Sequence, residues 1–374
     1  MGAIAALHFM PLDTRPFEEA AAERLGQPVK IGSVKLSFFP LPQLRAEQVV
    51  IGTQPEVRIA AVKATPELGS LVSDRKVFKT VELQGLNLSR EHLAGVLWGK
   101  GADSAMRIDR VVAKGMKLDV PGLALPPLDA QLAFKAGTVE SATIEAPDGA
   151  LLIRLDIKGA RTDARIEAKR LTLPFGGIVQ FEDFSGRGTL TPSELVLTEF
   201  EASALGGSIG GNARVRWQPS WTLDGEIAAR GMDAGKVAGP LIAGGRLAGR
   251  AAYTMKASTP DKLEPSARLD GSFTVQKGSL GTVDLTRILQ GASATGGTTL
   301  FSEMSGSVVL ETGRIHARQV RLVAGLLNAT GAADMDAQKN LSGRFLVELR
   351  AQASQARSGL VLSGSVSAPD FRRQ

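Results

Sequence analysis

The feature that most constrains this chain is an apolar/polar alternation of period two that recurs along most of its length. Val29, Ile31, Val34, Leu36 and Phe38 are separated by polar or small residues, and Val77 to Leu88 (VFKTVELQGLNL) and Val111 to Val120 (VVAKGMKLDV) repeat the pattern. Successive side chains of a strand point to opposite faces, so this rhythm predicts half-buried strands rather than helices. Glycine, at 42 residues, is spread through the chain, and aromatics are only 5%. The apolar material is therefore mostly Ala, Val, Leu and Ile, in short strands broken by turns.

Four segments share one pattern: 128–139 (LDAQLAFKAGTV), 184–195 (FSGRGTLTPSEL), 269–280 (LDGSFTVQKGSL) and 304–315 (MSGSVVLETGRI). Each reads as a strand, a tight turn at positions such as Lys277-Gly278 or Thr312-Gly313, and a returning strand. Helices are few. Thr14 is a plausible N-cap before Pro16, Glu18 and Glu19 complement the positive end of the helix dipole, and Gly26 followed by Pro28 ends the first helix. Glu91–Trp98 and Val283–Gln290 are candidates for short helices, and Gly291–Thr299 reads as a flexible loop.

The expected fold is mainly β: an extended antiparallel sheet curled into a hydrophobic groove, with a short N-terminal helix and few others. The expected divisions are an anchor remnant at 1–13, a helix-plus-β region at 14–120, a central repeat region at 121–265 and a C-terminal β domain at 266–374. A long sheet must cover its apolar face. With few helices and few bulky rings, that face would form an open groove suited to acyl chains, although a closed sandwich core has the same alternation. The candidate groove positions are Leu190, Leu195, Val275, Leu280, Val308, Leu310, Ile315, Val320 and Leu322.

The usual chemistries find little support. There is no cysteine, so disulfides and thiolate metal sites are excluded. His8, His92 and His316 are far apart, which makes a metal site improbable, and no cofactor or catalytic residue is expected. Gly206-Gly207-Ser208-Ile209-Gly210 matches the G-x-S-x-G pattern of a nucleophile elbow, but strand-like sequence follows where that elbow needs a helix, so it reads as a glycine-rich turn. Asp334 and Asp336 read as solvated turn acids, and Trp217 and Trp221 as a packing pair at a hairpin end. The net charge of +6 comes from cations spaced out among acids, unlike a nucleic-acid-binding surface. The first ten residues are apolar but too few to cross a membrane. Ile4, Leu7 and Phe9 read as the remnant of a membrane anchor.

Two stretches carry a family resemblance. Phe17 to Val77 has Leu25, Gly26, Pro28 and Val29 at a helix-to-strand turn, then Phe39-Pro40, Ile51-Gly52 and Leu68-Gly69-Ser70-Leu71. Asp284 to Asp370 adds DLTRILQ, GGTTLFSEMSGSVVLETGRI, VRLVAGLLNATGAADMD and LSGSVSAPDF. In this order they resemble the AsmA family of the Gram-negative envelope. The resemblance implies a periplasmic, non-enzymatic protein anchored in the inner membrane. It would bind or conduct phospholipid in a hydrophobic β-groove in support of outer-membrane biogenesis. Expected partners are phospholipid, the inner membrane through an N-terminal anchor, and outer-membrane or other envelope proteins. A second reading is an assembly factor or chaperone that captures outer-membrane proteins at exposed β edges. A third is a hydrolase using Ser208.

Overall fold

A computed structural model describes residues 11–37, 42–53, 57–67, 69, 76–98, 106–159, 161–172, 180–291, 296–351 and 354–374. Ile4, Leu7, Phe9, Phe39, Pro40, Leu68, Ser70 and Leu71 lie outside them, as does part of the loop expected at 291–299. The strands belong to one mixed sheet, and the chain divides into two compact units. Unit 1 comprises Met1–Lys169 and Arg187–Pro192; unit 2 comprises Arg170–Gly186 and Ser193–Gln374. The boundaries expected at 120/121 and 265/266 fall inside these units.

Unit 1 begins with β1 (Pro11–Leu12), α1 (Arg15–Leu25), β2 (Val29–Ser37), β3 (Gln43–Ile51), β4 (Val57–Pro66) and β5 (Lys76–Gln84). It continues with β6 (Asn87–Ser89), α2 (Arg90–Trp98), β7 (Met106–Ile108), β8 (Arg110–Asp119), β9 (Leu128–Lys135) and β10 (Thr138–Glu145). β11 (Leu151–Lys158) and β12 (Arg161–Thr172) follow; the last residues of β12 and Gln180–Gly186 of β13 (Gln180–Leu190) belong to unit 2, and the end of β13 to unit 1. Thr14 makes no side-chain cap to α1; Asp13 Oδ1 accepts from Arg15 N instead, at 3.2 Å. Gly26 closes the helix as expected, at φ 64°, where only glycine is free of strain. Glu18 does more than offset the dipole: its Oε1 accepts from Ile31 N at 2.7 Å and ties α1 to β2.

β2 to β5 form an antiparallel meander, as do β8 to β12. Between them the alternation misleads. β7 and β8 run parallel to β5, and β8 also runs parallel to β6, so the sheet is mixed rather than wholly antiparallel. Parallel neighbours cannot be joined by a tight turn; the chain must cross over one face of the sheet. Here α2 makes that crossing.

Unit 2 is an uninterrupted antiparallel meander from β14 to β24. Its strands are β14 (Glu194–Ala204), β15 (Gly207–Arg216), β16 (Trp221–Asp233), β17 (Arg246–Ala257), β18 (Arg268–Leu280) and β19 (Thr299–Glu311). β20 (Arg314–Ala324), β21 (Leu327–Met335), β22 (Leu341–Ala351), β23 (Ser354–Gly364) and β24 (Pro369–Arg373) complete it. α3 (Ala234–Ala238) joins β16 to β17, and α4 (Leu285–Leu289) joins β18 to β19. The hairpin expected at Thr312-Gly313 is present, with both residues at positive φ. Lys277-Gly278 is not a turn. β18 runs through it, with Lys277 at φ 52° and Gly278 paired to Phe301.

Candidate functional site

In unit 2 the pairing register builds an apolar face row by row. Leu197, Ala213, Gly225, Tyr253, Leu269, Leu310, Ile315, Met335 and Leu341 stand opposite one another in turn, across nine strands. A parallel row runs from Phe200 through Gly211, Ile227, Ala251, Gly271, Val308, Ala317, Ala333 and Gly343 to Leu362. Neither row contains a charge. The row of Arg214, Asp224, Thr254, Arg268, Glu311 and Arg314 shows the character of the opposite face.

Coverage of the apolar face is uneven. Towards α3 and α4 it is closed: Val275, Met304, Val320, Leu322 and Val347 pack with Ala234, Ile242 and Ile288 from the helical connections. Away from them, Leu269, Val308, Leu310, Ile315 and Met335 are only half-buried. The candidate positions divide accordingly. Val275, Val320 and Leu322 are sealed core, and Leu280 packs against it. Leu195, Val308, Leu310 and Ile315 lie on the partly uncovered stretch of the same face. Leu190 ends β13 and belongs to unit 1.

Glycine and aromatic residues work together here, a device that composition alone did not reveal. A Cβ on Gly306 would lie 3.2 Å from the Phe273 ring, and one on Gly331 2.6 Å from Cδ1 of Phe345. These two rings close over the glycines they face on neighbouring strands, a known way to fill the gap a glycine leaves in a sheet. Tyr253 lies over Gly225 and donates its hydroxyl to the Asn212 carbonyl at 3.1 Å. Burial, with the Asp224 charge, pushes that phenol up to about 12.

Unit 1 holds an apolar cavity of about 480 Å³ that the sequence reading did not anticipate. Its floor is sheet, including Ile59, Leu83, Val111, Leu132 and Ile144, and its roof is α2 through Leu93, Val96 and Leu97. No Asp, Glu, Lys or Arg lines it among the described residues; Gln27, His92 and Thr138 are its polar side chains. Its volume falls within the range of about 300–1,000 Å³ usual for small-molecule sites. α2 is held at one end by Ser89 Oγ and His92 Nδ1, 2.9 Å apart, and at the other by Trp98 Nε1, which donates to Thr162 Oγ1 at 3.0 Å. Thr162 is fully buried. Trp98→Phe strands that hydroxyl and is expected to cost about 1–3 kcal/mol, measured as a fall in the denaturation midpoint of unit 1. An unchanged midpoint would mean the bond does not hold α2.

The remaining sequence candidates do not assemble into a site. Ser208 is on β15 and His316 on β20, five strands away or roughly 24 Å at the usual strand spacing, so the two cannot share a proton. His316 Nδ1 instead meets Asp334 Oδ1 at 2.6 Å, and Arg318 reaches the same oxygen at 2.7 Å. Partial burial would raise the Asp334 carboxyl, but these two hydrogen bonds and the Arg318 charge outweigh it and hold it below its ordinary value. Asp336 accepts from Gln338 N and Asn340 N in a turn. Trp217 and Trp221 pack with ring centres 6.1 Å apart beside the β15–β16 connection. Among the described residues no cluster of three or more His, Asp or Glu could hold a metal, and no helix is long and apolar enough to cross a membrane.

Fold and surfaces together define a mainly β protein that presents an apolar sheet face in one unit and an apolar, helix-roofed cavity in the other. No known protein family, curated protein or solved structure matches this chain.

Proposed function

We propose that this chain is a non-enzymatic lipid-handling protein of the Gram-negative envelope, on the periplasmic side of the inner membrane, that takes up the acyl chains of phospholipid. The observation that carries the reading is the cavity of about 480 Å³ with no charged side chain in its described lining. An uncharged apolar space of that size offers water little and an alkyl chain much: each buried methylene gains about 0.8 kcal/mol. The uncovered stretch of the unit 2 face offers a second apolar surface of the same character. The resemblance of residues 17–77 and 284–370 to AsmA-like proteins points the same way.

Native mass spectrometry with lipid extraction tests the proposal. The expected result is phospholipid bound in defined number to protein purified in mild detergent. Leu310→Asp places a charge in the middle of the uncovered row and is expected to remove the lipid held by unit 2, whereas Leu310→Ala should lower occupancy only slightly. Normal lipid content in Leu310→Asp would show that this face carries none. Co-purifying polypeptide in place of lipid would favour capture of outer-membrane proteins at sheet edges.

A further inference from the structure

The large apolar side chains that stand most exposed among the described residues fall in two places. Leu25 and Val96 line the unit 1 cavity. The other three are all at one end of unit 2, where α3 and α4 connect the strands. Val237, on α3, is 47% exposed; Leu300, the second residue of β19, 76%; and Leu326, between β20 and β21, 60%. The register that pairs Glu303 with Val323 carries β19 and β20 together to this end, so Leu300 and Leu326 finish neighbouring strands.

By the pairing register this end carries Arg246, Lys277, Glu303, Glu348, Arg350 and Arg357 besides the charges of α3 and α4, with cations in the majority. Lys236 on α3 and Arg287 on α4 are exposed. The acids of the two helical connections, Asp233 and Asp284, are turned inward to cap. Asp233 Oδ1 accepts from Gly235 N at 2.9 Å, and Asp284 Oδ1 from Thr286 N and Arg287 N at 3.0 and 3.1 Å. The opposite end of the same unit mixes Asp261, Glu264, Asp270, Glu311 and Asp336 with Lys256, Lys262, Arg268, Arg314 and Lys339 and carries, among the described residues, no large exposed apolar side chain.

We infer that the α3/α4 end of unit 2 docks on the surface of an anionic bilayer. Leu300, Leu326 and Val237 would enter the boundary between headgroups and acyl chains, and Lys236 and Arg287 would meet lipid phosphates. Isolated leucines projecting from a turn and a strand end suit a soft apolar layer, into which each inserts independently. A protein partner would instead be met by a contiguous patch with aromatic anchors. Lys236 and Arg287 beside them favour anionic headgroups. This inference stands apart from acyl-chain binding in the cavity or on the sheet face.

Co-sedimentation of the full chain with vesicles decides it, using phosphatidylcholine alone and phosphatidylcholine with phosphatidylglycerol. The wild type should bind the anionic vesicles more tightly. Leu300→Ser/Leu326→Ser, which leaves the charge unchanged, should weaken that binding about tenfold or more, from the loss of two buried leucines. Lys236→Gln/Arg287→Gln should remove most of its sensitivity to salt. Lipid content by native mass spectrometry should not change in the Ser variant, so loss of docking and loss of acyl-chain binding are read separately. Binding of the double Ser variant within twofold of wild type, or no vesicle binding by the wild type, overturns the inference. So does a polypeptide partner, in place of vesicles, that depends on Leu300.

Discussion

Ala142→Phe is expected to remove the acyl chain from unit 1 while leaving the fold as stable as before. Ala142 is 3% exposed, sits on β10 and lines the cavity. A larger side chain on a buried strand usually strains its surroundings, at about 1–3 kcal/mol. Here the neighbouring space is a cavity of about 480 Å³, so a phenyl ring has room to enter it. Filling a void adds dispersion contacts and commonly stabilises by about 0.5–2 kcal/mol. The same ring occupies volume an alkyl chain would use. Two measurements on one variant therefore separate the readings. Lipid lost with an unchanged or raised denaturation midpoint supports a ligand cavity. A lowered midpoint with lipid retained would mean the space is ordinary core and the lipid lies elsewhere.

Gly331→Val is expected to have the largest effect on stability in unit 2. Gly331 lies between Val320 of β20 and Phe345 of β22 on the apolar face. A Cβ there would overlap the Arg344 carbonyl and come within 2.6 Å of Cδ1 of Phe345. The carbonyl is locked in the sheet ladder and the ring packs against the core, so neither can move cheaply. A cost of about 3 kcal/mol follows, or a fall of about 6–12 °C in the melting temperature of a unit this size. Gly325→Ala gives the contrast. Gly325 is in the β20–β21 turn with nothing within 4 Å of a Cβ, and its strain comes only from φ 62°, so about 1 kcal/mol is expected. Equal losses in the two variants would mean the ring-over-glycine contact is not what makes Gly331 necessary.

These ring-over-glycine contacts bear on function as well as stability. Phe273 and Phe345 fill the gaps at Gly306 and Gly331. The sheet face is thus made continuous and apolar with very few aromatics.

Much of this architecture was legible in the sequence because it depends on neighbours along the chain. Alternation placed the strands, since side-chain direction in a strand is fixed by its pleat. Gly26 and Thr312-Gly313 announced a helix end and a hairpin through local backbone preference. Eight of the nine candidate groove positions fall on one face of unit 2: period two keeps like residues on one side within a run, and the irregularities at Lys277 and Gln319 shift the phase so that Leu280 and Val320 return to that side. What the sequence could not decide is what covers that face. Val275 and Leu310 read alike as apolar strand residues, yet α3 and α4 seal the first and leave the second half-open, and that choice is made by the packing of the helical connections, not by the strands' own pattern. The parallel placement of β8 beside β5 was equally hidden, because alternation does not encode strand direction. That placement carries α2 across the sheet and creates the cavity beneath it. Local rhythm thus determined the strands and their apolar side, and only tertiary packing determined where that side is closed and where it leaves space for a ligand.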